Sequence, residues 1–247
     1  MEGKILFASE IPSSLLVSYQ RLVSQKTDYD FIIASIFLED EAYNTFYKTR
    51  HRKGTILDNG AFENGAAIPT KKYLDVYNIL KPDYLVIPDV RHNYKRTLKR
   101  AKEFFQVLPK KFDKSKLMGV LQGTNFDEYE KLLDFYKKKN ISFIGIPYGT
   151  VDRVKFISDH PKIIFHVLGL PYAPELLSLR LLPNIISLDT SLPSKFATHS
   201  YLISDYNVLT VSERAVDTVF DSTRLSCLND NLDYLRQLCN RKTKILI

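Results

Sequence analysis

YLVIPDVRHNYKRTLKRAKEFFQVLPKKFDKSKLMGVLQ, residues 84–122, contains the unit from which the fold is read. It opens on YLVIPD (84–89), an unbroken apolar run that ends in an acid. Tyr94, Leu98, Ala101, Phe105 and Leu108 then recur at helical spacing, with Lys95, Arg96, Lys99 and Lys102 on the opposite side. A second apolar run, LMGVLQ (117–122), closes the stretch. Unbroken rather than alternating apolar runs mark strands buried on both faces. Strand, helix, strand in that order makes a right-handed βα unit of a parallel sheet.

The same rhythm extends in both directions. KILFAS (4–9), FIIASIF (31–37), GTILD (54–58), SFIGIP (142–147), IIFHVLG (163–169) and IISLD (185–189) complete a set of eight runs. Between two of them, Phe126, Tyr129, Leu132, Leu133 and Tyr136 form a helical stripe, and Asn125 with Glu128 makes a capping box at its start. Eight βα units predict an α/β fold, a single-domain (β/α)8 TIM-like barrel over residues 1–200. Residues 201–247 are expected to form a C-terminal extension packed on it, with NLDYLRQLCNRK (231–242) as an amphipathic helix. The 247 residues match the usual barrel length of roughly 250.

Composition narrows the classes. Hydrophobic residues are 45% and charged residues 26%, which excludes a disordered chain. No run reaches the length of a membrane span, and MEGKILFASEIPSS lacks a signal-peptide layout, so no membrane partner and a cytoplasmic setting are expected. The two cysteines, Cys227 and Cys239, are too few and too isolated for a disulfide framework or a zinc cluster. Free thiols, no metal and no cofactor are expected. The net charge of +7 favours a polyanion, hence nucleic acid, as partner.

A barrel places its active site at the carboxyl ends of its strands. Four runs end there in a polar residue: Asp58, Asp89, Gln122 and Asp189. Any one of them alone reads as a helix cap or a turn. Together, at matching positions, they should converge on one pocket. Paired carboxylates suit chemistry at an anomeric carbon, where one group attacks or stabilises positive charge and another manages the proton. The residues alone do not say which does which. Gly60, Gly123, Gly145, Gly149 and Gly169 near the strand ends read first as turn residues and second as places where a flat ligand approaches the backbone. Arg91, Lys95 and Arg96 follow Asp89 directly and Lys195 follows Asp189 by six residues, so these four are expected to rim the mouth and contact phosphate. KKFDKSK (110–116) belongs to the opposite end as solvated surface. His166 is expected to be a packed, hydrogen-bonded histidine, and His51 and His92 surface residues.

Five of these segments also carry a family resemblance. ILDNGAF (56–62) resembles the Asp-Ser-Gly-Gly-aromatic segment of the tRNA-guanine transglycosylases, GVLQG (119–123) their Val-Gln-Gly segment, and FIGIPYG (143–149) their glycine-rich strand end. HVLGLP (166–171) is similar to their Leu-Met-Gly-Val-Gly, and IISLDTSLP (185–193) to the segment of the nucleophile. The resemblance implies that Asp189 attacks C1′ of the target nucleotide and that Asp58 handles protons. It further implies that Asp89 and Gln122 bind a guanine-like base with help from the backbone at Gly145 and Gly169, and that Phe62 and Leu168 sandwich the ring. The family's zinc-binding Cys-x-Cys-x-x-Cys segment is missing, and Asn59, Ala61 and Glu63 depart from the motif. The compact layout resembles the phage and genomic-island branch. That implies a pentosyltransferase replacing guanine in DNA with a free 7-deazaguanine base such as preQ0, through a covalent aspartyl-glycosyl intermediate. Action on tRNA, a nucleosidase or glycoside hydrolase, and a non-catalytic nucleic-acid-binding barrel stand as alternatives.

Overall fold

A computed structural model describes residues 3–10, 13–50, 54–149, 151–205 and 220–240. Eight parallel strands, β1 (Leu6–Ser9), β2 (Asp30–Ile33), β3 (Thr55–Asp58), β4 (Tyr84–Val86), β5 (Leu117–Val120), β6 (Phe143–Pro147), β7 (Ile164–Leu168) and β8 (Ile185–Thr190), lie in the order β1-β8-β7-β6-β5-β4-β3-β2. Helices separate them: α1 (Ser13–Lys26), α2 (Ala34–Glu39), α3 (Glu41–Thr49), α4 (Ala61–Asn64), α5 (Thr70–Leu80), α6 (Tyr94–Val107), α7 (Phe126–Lys138), α8 (Arg153–Asp159) and α9 (Ala173–Leu179). After β8 come α10 (Leu192–Thr198) and α11 (Ser222–Cys239). This is the (β/α)8 barrel that the apolar rhythm predicts, with one strand overlapping each of the eight runs.

Strand periodicity divides the core into two layers. Ala8, Phe31, Ile33, Ile56, Val86, Met118, Val120 and Phe143 form one cluster, the filling of the barrel. Their neighbours in sequence, including Phe7, Ile32, Leu57, Leu85, Leu117 and Ile144, pack with the helices. The helices come very close: a Cβ on Gly119 would lie 2.7 Å from the Tyr136 ring, so only glycine lets α7 settle on β5.

Two expectations need correction. FIIASIF is not all strand, because β2 ends at Ile33 and Ala34 begins α2. An unbroken apolar run has no period to separate a buried strand from a buried helix. The C-terminal helix begins at Ser222, not Asn231, because Asp221 caps it by accepting from the Arg224 N–H at 2.9 Å. Its Leu228, Leu232, Leu235, Leu238 and Cys239 enter the main core, and it packs against α1, α9, α10 and β1. His51 and residues 241–242 of the expected helix lie outside the described residues. No helix among the described residues is long and apolar enough to cross a membrane.

The eight-stranded sheet has β1 and β2 at its two ends, and Asp28, just ahead of β2, reaches across that seam. The Asp28 N–H donates to the Phe7 carbonyl at 2.8 Å, and the Asp28 carboxylate accepts from the Phe7 N–H at 3.0 Å and pairs with Lys4. Asp28 thus presents to β1 the donor and acceptor that a neighbouring strand would. Phe7 is fully buried, so its N–H has no water to turn to. Asp28→Ala should therefore destabilise the fold by about 1–3 kcal/mol, the cost of a buried unpaired donor. Asp28→Asn, which keeps an acceptor, should cost less. Urea unfolding midpoints compared at constant slope check both.

Candidate active site

Each barrel strand ends facing the same mouth, and residues of the strands and of the segments just beyond them line one cavity of about 970 Å3, the open mouth included. Its walls are Phe31, Ile33, Val120, Pro147 and Leu168. Five carboxylates, Glu10, Asp58, Glu63, Asp89 and Asp189, face it, with Arg91, His92 and Lys195 also among its lining. So many acids in one partly apolar cavity require specific donors, because a buried charge without partners is costly.

Asp89 is the most fully held. Asn59 Nδ2 donates to one of its oxygens at 2.8 Å and Gln122 Nε2 to the other at 2.6 Å. Both amides are themselves fixed: Asn59 Oδ1 accepts from the Ala61 N–H, and Gln122 Oε1 accepts from the His92 N–H at 2.9 Å. Burial raises the Asp89 carboxyl to about 6, against the opposing pull of these two donors. Asp58 accepts from the Gly60 N–H at 2.7 Å, in a turn where Gly60 takes the left-handed φ of 76°. Burial first, then the charges of Glu63 and Asp89, hold the Asp58 carboxyl well above the ordinary range.

Asp189 is held from β7. His166 Nε2 lies 3.0 Å from Oδ1, and the Gly169 N–H reaches Oδ1 at 3.1 Å and Oδ2 at 3.2 Å. The His166 ring is fully buried, stacks on Phe31 and meets Ser187 Oγ at 2.8 Å through Nδ1. Arg153 fixes the backbone behind Gly169. Paired with Glu175, it donates to the carbonyls of Leu168 at 3.0 Å and Gly169 at 3.1 Å. Glu10 stands one residue past β1 and is hydrogen-bonded to Asp189. Burial first, then the Asp189 and Glu63 charges, hold its carboxyl well above the ordinary range, with Lys195 pulling the other way.

The structure therefore brings Asp58, Phe62, Asp89, Arg91, Gln122, Leu168, Gly169, Asp189 and Lys195 to one cavity. It places three other expected residues elsewhere. Gly145 lies within β6, where its carbonyl accepts from the Leu121 N–H and a Cβ would strike Leu168. Lys95 and Arg96 are exposed on the first turn of α6, outside the cavity lining. Gln122 spends both ends of its amide on protein partners and so positions Asp89. Phe62 is exposed, and the Arg91 guanidinium lies 4.5 Å from its ring centroid.

Glu10, Glu63 and the contact of His166 with Asp189 have no place among the residues that the sequence singles out. Glu10 was within reach, since it directly follows KILFAS just as the other acids end their runs. His166 is packed and hydrogen-bonded, as its apolar surroundings predict. Its partner lies on another strand and has no signature in local spacing. Among the described residues no group of three or more His, Cys, Asp or Glu is arranged to hold a metal ion.

No family model matches the chain, and no curated protein matches it. Among solved structures, it is similar to N-acetylneuraminate lyase from Mycoplasma synoviae, at 14% identity over 95% of this chain and 82% of that one, with a TM-score of 0.48. The expected kinship with the tRNA-guanine transglycosylases is corrected: no family model and no curated protein supports it, and with it fall the pentosyltransferase activity, the exchange of guanine for a 7-deazaguanine in DNA and the alternatives beside it. The five motifs have a simpler source. Each is a strand end with its polar residue or glycine, and any eight-stranded barrel presents such ends in chain order.

Proposed function

We propose that the mouth of the barrel is the active site of an enzyme that performs general acid–base chemistry on a compact substrate with hydrogen-bond donors along one edge. The observation that carries this is Asp89. Two amides aim its carboxylate into a cavity of small-molecule size, and burial brings it to about 6, the range in which a carboxyl exchanges protons near neutral pH. In this reading Asp89 accepts from the substrate edge, while Asp58 and Asp189 are the catalytic carboxyls. The ionised members of this acid cluster would repel an anion at that depth, so the inner end of the substrate is neutral or cationic.

Arg91 and Lys195 stand at the same cavity, and Lys95 and Arg96 lie exposed beside it on α6. With the net charge of +7, this layout supports an anionic outer portion of the substrate, and nucleic acid as the partner that carries it. The free thiols of Cys227 and Cys239 support a reducing, cytoplasmic setting.

Two tests follow from the charges. Benzamidine, a flat cation with paired N–H donors, should bind and benzoate should not. Asp89→Ala should weaken benzamidine binding about 10- to 100-fold, the scale of a charge-assisted hydrogen bond. Affinity should rise with pH through about 6 as Asp89 ionises. Stability runs the other way. The folded Asp89 keeps a proton that the unfolded chain releases near 4, so its contribution is present at lower pH and fades as pH rises through about 6, by roughly 3 kcal/mol. Calorimetric titration with both probes and unfolding across pH 4–8 check these signs, and equal binding of benzoate would overturn the reading of the cavity. In the second test, single-stranded oligonucleotide binding is followed against salt. Neutralising Arg91, Lys95, Arg96 and Lys195 should flatten the slope by about 0.7 for each phosphate that the variant no longer neutralises. An unchanged slope would move the polyanion to another face.

A further inference from the structure

We propose that Glu10 and Asp189 form a proton-sharing carboxyl pair in which Glu10 carries the proton and acts as the acid that delivers it to the bound substrate. Donors and acceptors decide where the proton sits. Two carboxyl groups can hydrogen-bond to each other only if one of them is protonated. Asp189 already accepts from the Gly169 N–H at both its oxygens, and the His166 ring nitrogen faces Oδ1. An added proton on Asp189 would compete with these bonds, so the shared proton belongs on Glu10.

The backbone fixes Glu10 in that role. Its N–H donates to the Thr190 carbonyl at 2.9 Å, and its carbonyl accepts from Ser194 Oγ at 3.0 Å, which ties the residue to both β8 and α10. Its side chain lines the cavity beside Asp189. The charged and titratable groups around the pair come from several other elements. Lys195 on α10 favours an ionised Glu10, whereas Glu63 on α4 and Asp189 oppose it. Asp58 of β3 and the phenol of Tyr29 interact electrostatically with Asp189, and Tyr43 of α3 with Glu10. Burial, ahead of the neighbouring acids, holds the Glu10 carboxyl well above its ordinary value.

The step is a simple transfer. The Glu10 O–H bond breaks, its electron pair stays on the carboxylate, and the proton forms a new bond to a basic atom of the substrate. Glu10 is left ionised beside Asp189, with Lys195 as the nearby cation, and this repulsion favours recovery of a proton from product or water. Glu10 is thus the acid within the proposed active site, and its role rests on that reading for its catalytic meaning only.

The location of the proton can be measured without a substrate. Protein labelled with 13C at the glutamate side-chain carboxyls is titrated by NMR, as wild type, Glu10→Gln and Asp189→Asn. One glutamate carboxyl should remain protonated at pH 7, its signal should vanish in Glu10→Gln, and its midpoint should fall in Asp189→Asn, where the facing charge is gone. A Glu10 signal already ionised at pH 7, or a midpoint indifferent to Asp189→Asn, would overturn the pair. If Glu10→Gln fails to fold, Glu10→Asp supplies the assignment by removing the same glutamate signal. A protonated Glu10 in a protein that binds neither benzamidine nor any related donor-edged ligand would defeat the active-site reading and leave the pair standing.

Discussion

In a parallel barrel every strand points the same way, and that constraint organises this molecule. Each of the eight strands must end at one mouth, so residues far apart in the chain meet there without any local device to bring them together. Glu10, Asp58, Asp89 and Asp189 come from four different βα units and face one space. Closure matters as much as direction. Asp28 and Tyr29 span the gap between β1 and β2, Asp28 through its bonds to Phe7 and Tyr29 through its hydroxyl, which donates to the Leu188 carbonyl of β8. Were this seam to part, Glu10 and Asp189 would lose the framework that keeps them together.

Crowding acids creates an electrostatic problem, and the cavity solves it unevenly. Asp89 accepts from Asn59 and Gln122, and Asp189 accepts from the Gly169 N–H with the His166 ring nitrogen against its Oδ1. Asp58 accepts from the Gly60 N–H and faces the charges of Glu63 and Asp89; its carboxyl is held high, as is that of Glu10. The result is acids of different character within one pocket: some built to accept, others to retain a proton. That separation is what acid–base chemistry needs from chemically similar side chains.

The supporting residues explain why the carboxylates keep their places. Gln122 links Asp89 to the His92 N–H, and Arg153 with Glu175 grips the carbonyls of Leu168 and Gly169, the segment whose N–H holds Asp189. The ordered motifs that resemble a transglycosylase are, in this light, the sequence trace of barrel geometry. Strand ends supply polar residues and glycines in chain order whatever reaction the pocket performs, so their order speaks for the fold and leaves the chemistry to the site.

The eight apolar runs determined the parallel βα order by themselves, because unbroken burial and the helical stripes between strands are local patterns, and their number fits a barrel. They also located Asp58, Asp89, Gln122 and Asp189 at a common mouth, since strand direction fixes which end a terminal residue occupies. Local pattern could not divide FIIASIF between β2 and α2, where burial erases the period, or start α11 at its Asp221 cap. Only the tertiary structure joined His166 to Asp189, removed Gly145 from the cavity, set Arg91 over Phe62 and brought Glu10 against Asp189. Those are contacts between units distant in sequence. They depend on side-chain direction and on closure of the ring, and no spacing along the chain encodes either.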